Sequence, residues 1–186
     1  MITQKKLLSI CIPTWNRALF LKECLDSIVC QFTDPEIYKQ VEIVISDNAS
    51  TDNTEGIVKV FQQKWNNIKY SKNNENIGFD RNILNVVNKS QGEYCWFLGD
   101  DDMLFENALK TVIDKFITYR CSYYLCNAWR VDRIKHKNIR QEFSFYKQDK
   151  YYDSFYSFIN KNKKKLALCG KLSLHIFKKI LWNLYH

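Results

Sequence analysis

The chain contains little glycine and little proline, and its few glycines lie far apart. Its 186 residues include two prolines and five glycines, which are Gly56, Gly78, Gly92, Gly99 and Gly170. No pair of glycines has the spacing of the G-x-x-x-x-G-K-[ST] loop that holds phosphates in P-loop NTPases, and no three form the G-x-G-x-x-G of a Rossmann dinucleotide site. Both of these glycine-rich phosphate sites are therefore excluded.

Long apolar runs and paired cysteine motifs are also missing. No stretch has about eighteen uninterrupted apolar residues, so a transmembrane helix is not expected. The segment 1–13 has charges before a short apolar run, but it lacks a small-residue cleavage site, and we predict a first strand there instead of a signal peptide. The seven cysteines form no C-x-x-C pair. We expect reduced core thiols of a cytosolic protein, and neither a zinc site nor a disulfide framework.

The composition is that of a globular domain with an uneven charge distribution. Apolar residues make up 46% and aromatic residues 15% of the chain, which is long enough to bury one core. The formal net charge is +8, but residues 1–109 carry 11 basic against 15 acidic side chains, and residues 110–186 carry 17 against 5. This division predicts an acidic, cation-binding half and a basic half that faces an anionic partner.

Hydrophobic patterns in the first hundred residues predict alternating strands and helices. The predicted strands are 7–12, 41–46, 68–71 and 93–98, and helical patterns follow the first three of them. This βαβαβαβ order indicates an α/β fold, in which a mostly parallel sheet is flanked by helices and binds ligands at the strands' carboxyl ends. Beyond Lys110 we predict a strand at 122–129, a basic hairpin at 130–146, an aromatic helix at 151–165, and a strand at 169–177 that leads into a last helix. We expect these elements to extend the same sheet.

Three polar loops follow predicted strands, at 13–17, 46–53 and 99–102. Turn and capping chemistry explains each loop alone, but the three together indicate a ligand crevice. The last loop contains Asp100, Asp101 and Asp102 in succession. One aspartate is enough to cap a helix, and three adjacent carboxylates raise one another's pKa unless a cation lies among them. An EF-hand does not fit the pattern. What fits is a hard divalent cation that is held by one or two carboxylates and completed by water and a substrate diphosphate.

Four blocks of sequence resemble those of family 2 glycosyltransferases, in the same order and spacing. They read LSICIPTWNRALFLKECLDSI, VEIVISDNASTDNT, NIGFDRNI and GEYCWFLGDDDML. The resemblance covers residues 7–110 and continues more weakly to the end. It implies the GT-A fold, a Rossmann-like sandwich, and is most similar to bacterial members that build lipopolysaccharide or capsule. It also implies a nucleotide-sugar-binding half at 1–110 and an acceptor-side half at 111–186 that lacks the usual C-terminal element.

The resemblance also implies roles for individual residues. The expected nucleotide-binding residues are Pro13, Thr14, Asn16, Arg17, Asp47, Asn48, Arg81 and Asp100. Asp47 matches an acid that accepts a hydrogen bond from the base ring N–H, typically of uracil, but Asn48 departs from the common D-D-G-S and leaves the base open. Arg81 matches a position near the diphosphate, and Asp100 one near the ribose. Asp101 matches the ligand of Mn²⁺ or Mg²⁺, with Asp102 as the alternative because Gly99 replaces one acid.

The implied activity is inverting transfer of a sugar, from a UDP-sugar in the first instance, to a glycan or lipid-linked acceptor. The general base of such enzymes is expected beyond His186, and His175, inside an apolar strand, is expected to be structural. Two other hypotheses remain: a truncated module that binds a nucleotide sugar without transferring it, and a nucleic-acid binder, which no motif supports. We expect a cytoplasmic location. The aromatic helix and its Lys161, Lys163, Lys164 and Lys165 add the hypothesis of a peripheral contact with anionic lipid on the inner face of the membrane.

Overall fold

The computed structural model describes residues 6–126, 128–132, 137–143 and 175–180, with the backbone alone for 128–132 and 137–143. The strands are β1 (Leu8–Thr14), β2 (Val41–Asp47), β3 (Ile68–Lys72), β4 (Tyr94–Phe97), β5 (Tyr123–Leu125), β6 (Ala128–Asp132), β7 (Lys137–Phe143) and β8 (His175–Lys178). The helices are α1 (Ala18–Val29), α2 (Pro35–Gln40), α3 (Thr54–Gln62), α4 (Phe79–Lys89) and α5 (Ala108–Tyr119), and a 3₁₀ turn at Cys30–Thr33 follows α1.

Six strands form one mostly parallel sheet in the order β3-β2-β1-β4-β8-β5. The first four strands run parallel, and β8 is antiparallel to both of its neighbours. The register places Ile10 of β1 between Ile43 of β2 and Trp96 of β4. The predicted α/β class with a mostly parallel central sheet is thereby confirmed.

Helices cover both faces of this sheet, which explains why strands β1 and β2 are buried along their whole length. Every residue of β1 and β2 is buried, as expected for parallel strands that are covered on both sides. On one face, Ile10 and Ile43 share a core with residues of α1, α3 and α5. On the other face, Cys11 and Val44 pack with Val86 and Val87 of α4. The result is a three-layer sandwich whose strand ends remain available for a site.

The structure differs from the prediction in three ways, two of them in the second half. The predicted strand at 122–129 divides into β5 and the start of β6. The basic hairpin forms, but β6 and β7 pair as a separate two-stranded sheet, and only β5 and β8 extend the main one. Helices α2 and α5 were not predicted. The start of α2 has a local signal, because Asp34 accepts a hydrogen bond from the Glu36 N–H at 2.9 Å and Pro35 is its first residue. The predicted aromatic helix at 151–165 lies outside the described residues.

The described cysteines are free thiols. Cys11, Cys24 and Cys95 are buried as expected, but Cys30 is exposed at the end of α1, so the expectation of a core thiol is wrong there. Burial raises the pKa of the Cys24 thiol well above its ordinary value, and the nearby aspartates raise it further, which keeps it protonated. Among the described helices, none combines the length and apolar character that crossing a bilayer requires.

Candidate active site

The three polar loops lie side by side at the carboxyl edge of the sheet. Parallel pairing aligns the ends of β1 and β2, with Thr14 opposite Asp47. Strand β4 pairs with β1 on its other side, with Phe97 opposite Cys11, and leads into the Gly99–Asp102 turn. The topology of the sheet alone therefore brings together the three polar loops at 13–17, 46–53 and 99–102.

Hydrogen bonds join the first loop to the second. The Asn48 N–H donates to the Thr14 carbonyl at 2.9 Å. The Asn16 N–H donates to Ser50 Oγ at 2.8 Å, and the Asn16 Oδ1 accepts from the Thr51 N–H at 2.7 Å. Asn16 itself adopts a left-handed conformation with φ 53°, which asparagine tolerates better than most residues. The side chain of Asn16 is thus used to hold the two loops together.

Asp52 adds a second link between the same loops, one that the sequence analysis did not single out. Its Oδ2 accepts from the Ala18 N–H at 2.9 Å, and its Oδ1 accepts from the Thr54 N–H at 3.1 Å. One carboxylate therefore caps the starts of α1 and α3. Hydrogen bonds from Thr54 and Ala18 lower the pKa of Asp52 despite the opposing effect of burial. The available signal in the sequence was the loop 46–53, which is rich in Ser, Thr and Asp and lies directly before a predicted helix.

Asp100 is the centre of a polar group that links the first loop to the third. Its Oδ2 accepts from Thr14 Oγ1 at 2.8 Å, and its Oδ1 accepts from Arg17 Nη1 at 3.2 Å. The same Nη1 donates to Asp101 Oδ2 at 3.2 Å. Asp100 is only 6% exposed, and burial raises its pKa in spite of the lowering effects of Thr14 and Arg17. Two carboxylates therefore already converge on one cationic nitrogen.

Gly99 leaves space for the other carboxylates of the triplet. The Asp102 N–H donates to the Gly99 carbonyl at 3.0 Å, which closes a tight turn. A Cβ placed on Gly99 would lie 2.8 Å from Asp102 Oδ2 and 3.0 Å from Asp101 Oδ1. The Asp101 and Asp102 carboxylates therefore lie close to Gly99, and a side chain at position 99 would displace them. Asp101 and Asp102 are both exposed at this edge.

These residues fit a divalent ion that is only partly liganded by protein. Within the part of the chain that the structure describes, no three His, Cys, Asp or Glu side chains are grouped as a metal cage. Magnesium-type sites need no such cage, since they use one or two carboxylates together with waters and substrate phosphates. Asp101 and Asp102 provide exposed carboxylate oxygens. The ion pairs of Arg17 with Asp100 and Asp101 show that this group of carboxylates already binds one positive charge.

Asp47 lies beneath the site and not on its surface. The residue is 0% exposed. Its Oδ1 accepts from the Ser50 N–H at 2.8 Å, and its Oδ2 accepts from the Tyr70 hydroxyl at 2.6 Å. Burial, followed by the bond to Asp47, raises the pKa of Tyr70. The Asp47 carboxylate therefore holds the second loop against β3.

The remaining predicted residues occupy different places. Pro13 and Thr14 are buried at the end of β1. The Asn48 side chain is 4% exposed and faces the segment 73–78. Arg81 is exposed on the first turn of α4, and its side chain has no hydrogen bond or ion pair to another described residue. His175 is half-buried in β8, where its Nδ1 contacts the Tyr123 hydroxyl. The structure thus unites Thr14, Asn16, Arg17, Asp100 and Asp101, and leaves Arg81 separate.

Comparison with known families decides the assignment. A family model described as glycosyl transferase family 2 matches residues 9–180. The chain belongs to glycosyl transferase family 2. The resemblance drawn from the four sequence blocks is thereby confirmed.

Curated members of family 2 are among the relatives of this chain. The chain is 36% identical over 171 residues to abequosyltransferase RfbV of Salmonella typhimurium, covering 90% of this chain and 49% of the relative. It is 37% identical over 109 residues to the GalNAc(5)-diNAcBac-PP-undecaprenol beta-1,3-glucosyltransferase of Campylobacter jejuni, covering 58% and 34%. The chain therefore spans about half the length or less of these two family 2 relatives.

Solved structures support the same fold. Staphylococcus aureus TarS 1–349 in complex with UDP-GlcNAc superposes with a TM-score of 0.74 at 22% identity, covering 95% of this chain and 46% of that chain. The mannosyltransferase PcManGT from Pyrobaculum calidifontis, in complex with GDP-Man and Mn²⁺, gives 0.58 at 21% identity, covering 69% and 37%. At these identities the likeness concerns the fold, and it confirms the predicted GT-A architecture.

Proposed function

We propose that this family 2 chain forms the donor-binding part of a glycosyltransferase that moves a sugar from a nucleoside diphosphate to a glycan or lipid-linked acceptor. The observation that carries the proposal is the group made by Thr14, Arg17, Asp100 and Asp101 at the carboxyl edge of the sheet. This group combines buried and exposed carboxylates with a cation at the place where parallel α/β folds bind ligands. It offers oxygens to a ribose and positive charge to a diphosphate.

The roles follow from burial and charge. Asp100 is buried, braced by Thr14, and suited to accept hydrogen bonds from a ribose hydroxyl. Asp101 and Asp102 would hold Mn²⁺ or Mg²⁺, which when bound neutralises the charge that builds on a departing diphosphate. Arg17 keeps both carboxylates oriented and lies beside the expected diphosphate. Arg81, which lies apart from this group, is proposed as a second cation for the diphosphate, and the backbone of Pro13 and Thr14 is the proposed contact for the base.

The donor is proposed to be a UDP-sugar. The TarS structure contains UDP-GlcNAc and PcManGT contains GDP-Man, so donors of this kind fit the shared fold. Because Asp47 is buried and Asn48 replaces an acid, the base is proposed to be recognised mainly through backbone groups. A comparison of UDP, CDP and GDP binding by calorimetry therefore belongs in the first experiment.

The decisive experiment is titration of UDP with and without Mn²⁺, using Asp101→Ala and Asp114→Ala variants. Asp114 is an exposed aspartate of α5, far along the chain from the triplet, and serves as the matched control. We expect the Asp101 variant to lose the Mn²⁺-dependent part of UDP affinity and the Asp114 variant to keep it. If Asp101→Ala binds UDP with unchanged dependence on Mn²⁺, the metal role assigned to the triplet is wrong.

The acceptor side rests on the relatives' names and on the second half of the chain. One relative is named for an undecaprenol-linked glycan, and the other for transfer of abequose. We propose an acceptor of the same chemical class for the full protein, in bacterial cell-surface polysaccharide synthesis, with inversion by single displacement. Among the described residues, His175 is engaged by Tyr123 and is not assigned as the general base. A cytoplasmic location with peripheral contact to anionic lipid completes the proposal.

A further inference from the structure

The side chain of Asn48 is fully used by a neighbouring segment, residues 73–78, which we name the 73–78 loop. Its Oδ1 accepts from the Ile77 N–H at 2.9 Å and from Asn73 Nδ2 at 3.1 Å. Its Nδ2 donates to Asn76 Oδ1 at 2.7 Å and to the Gly78 carbonyl at 3.3 Å. A primary amide offers two donor hydrogens and two acceptor lone pairs. All four are directed at the same loop.

Two backbone groups fix the orientation of this amide. The Ile77 N–H can only donate, so the atom that faces it must be Oδ1. The Gly78 carbonyl can only accept, so the atom that faces it must be Nδ2. A carboxylate in the place of the amide would therefore put an oxygen against two acceptors, Asn76 Oδ1 and the Gly78 carbonyl. The site requires an amide at position 48.

The loop cannot easily adjust to such a change. Asn76 Oδ1 also accepts from the Gly78 N–H at 2.9 Å, so turning the Asn76 amide would leave that N–H without its partner. Asn73 is held as well, since its N–H donates to the Asp47 carbonyl at 2.8 Å and its Oδ1 accepts from Asn85 Nδ2 at 2.7 Å. The loop has one uncharged network of amides, with Asn48 at its centre.

The network ends at the start of helix α4. The Gly78 carbonyl that accepts from Asn48 also accepts from the Asn82 N–H at 3.2 Å, the first bond of the helix. Gly78 has φ 85°, a conformation that glycine adopts without strain. Arg81 is the third residue of α4 and projects from this turn into solvent. A displacement of the 73–78 loop would therefore move the helix start and Arg81 together.

We propose that Asn48 is a positioning residue, which fixes the 73–78 loop and thereby holds Arg81 in place for the diphosphate of the donor. This inference rests on the proposed function in one respect, that Arg81 faces a diphosphate. It assigns Asn48 a role in the second layer of the site in place of the direct nucleotide contact that the sequence resemblance implied. It also gives a physical reason for an asparagine where the common motif has an acid.

The test is calorimetric titration of UDP in the presence of Mn²⁺ with Asn48→Asp, Asn48→Ala and Arg81→Gln variants. Asn74→Asp is the matched control, because Asn74 is exposed in the same loop and has no hydrogen bond to another described residue. We expect both Asn48 variants to lose about tenfold in UDP affinity, the scale of one lost charge-assisted contact. The Asn74 variant should stay within about twofold of the wild type, since it adds the same charge without breaking the network.

The double variant Asn48→Asp/Arg81→Gln separates positioning from a general loss of structure. If Asn48 acts through Arg81, the double variant should bind UDP no more weakly than Arg81→Gln alone, because one contact cannot be lost twice. Losses that multiply in the double variant would overturn the proposal. So would wild-type UDP affinity in Asn48→Asp.

Hydrogen exchange of the free chain distinguishes this inference from the proposed function. We expect faster exchange across residues 73–81 in Asn48→Asp and wild-type exchange there in Asn74→Asp. If the wild-type chain binds no UDP, the proposed function fails while the exchange result still decides the loop tether. Unchanged exchange across 73–81 in Asn48→Asp would overturn the inference whatever the chain binds.

Discussion

Single residues at the carboxyl ends of the strands show how a buried polar side chain can hold a loop of the site in place. Asp47 is the clearest case, because its two carboxylate oxygens receive the Ser50 N–H and the Tyr70 hydroxyl and its surface is fully covered. Removing one partner of a buried charged group leaves that group poorly solvated, which costs more than the bond itself contributes. Such a residue stabilises the loop on which binding depends.

We therefore expect Tyr70→Phe to destabilise the chain more than Asp47→Asn does. The phenylalanine variant leaves Asp47 Oδ2 without its donor, at a cost of about 1.5–3 kcal/mol in the free energy of unfolding. In Asp47→Asn the amide NH₂ can donate to the Tyr70 oxygen while Oδ1 still accepts from Ser50, so the loss should be smaller. Urea unfolding measures both losses.

The same Asp47→Asn variant tests base recognition. We expect UDP and free pyrophosphate to change in affinity by the same factor, since the Asp47 carboxylate is buried and bonded to Ser50 and Tyr70. Loss of UDP affinity with unchanged pyrophosphate affinity would instead show that Asp47 reaches the base and that the loop opens on binding.

At the scale of secondary-structure elements, one buried acid, Glu42, links the parallel strands near their amino-terminal ends. Glu42 of β2 accepts from Ser9 Oγ of β1 and from the Gln91 N–H before β4, each at 2.5 Å. Its other oxygen lies 2.6 Å from Lys69 Nζ of β3. Burial favours the protonated form, but Lys69, Ser9 and Gln91 together outweigh it and lower the pKa of Glu42 below its ordinary 4.5. One carboxylate therefore joins four neighbouring segments.

The lowered pKa of Glu42 determines how the stability of the folded chain changes with pH. The folded chain binds the Glu42 proton less readily than the unfolded chain does, so the stabilisation is fully present above pH 4.5 and is lost as the pH falls through the lower folded pKa. We expect Glu42→Gln to lose about 1–3 kcal/mol at pH 7 and to show a weaker decline of stability below pH 4.5. Urea unfolding between pH 3 and 7 measures both effects. An equal decline of the free energy of unfolding below pH 4.5 in the wild type and in Glu42→Gln would contradict this role of Glu42.

Elements also show what sequence patterns can and cannot predict. Strands β1 and β2 were predicted because 8–12 and 41–45 are mostly apolar runs, interrupted by Ser9 and Glu42, that reflect burial on both faces. The grouping of the three polar loops was predictable as well, because each of them follows a predicted parallel strand. Strand β5 lies within the segment 122–129, where a strand was predicted, but its place in the sheet comes from pairing with β8, about fifty residues later, and no local pattern indicates that pairing. The braces made by Asp52 and Tyr70 likewise depend on neighbours that are distant in the chain.

On the scale of the whole molecule, the main feature is the uneven distribution of charge along the chain. The basic excess lies in residues 110–186, and much of that part is outside the described residues. The segment 151–165 carries aromatic residues at helical spacing before a run of lysines. Clustered lysines near an anionic bilayer contribute about 1 kcal/mol each, an attraction that salt screens.

We expect the chain to sediment with vesicles that contain anionic lipid, and this binding to weaken at high salt. Replacing Lys161, Lys163, Lys164 and Lys165 by glutamine should abolish it. The matched control replaces four exposed lysines of equal total charge, which are Lys64, Lys72, Lys89 and Lys110, and should retain most of it. Equal binding to neutral and anionic vesicles, or equal losses in the two variants, would count against the membrane contact.

The position of β8 between β4 and β5 has a consequence for how the chain is made. Protein synthesis delivers β4 and β5 before β8, yet in the finished sheet both of them hydrogen-bond to β8 and not to each other. Until residues 175–178 emerge, the nascent sheet has β4 as an open edge, with backbone groups that another growing chain can pair with. Strand β4, one of the two central strands of the finished sheet, is thus an open edge from its own synthesis until that of β8. Slow translation past Leu125 would prolong the interval in which neighbouring nascent chains can associate.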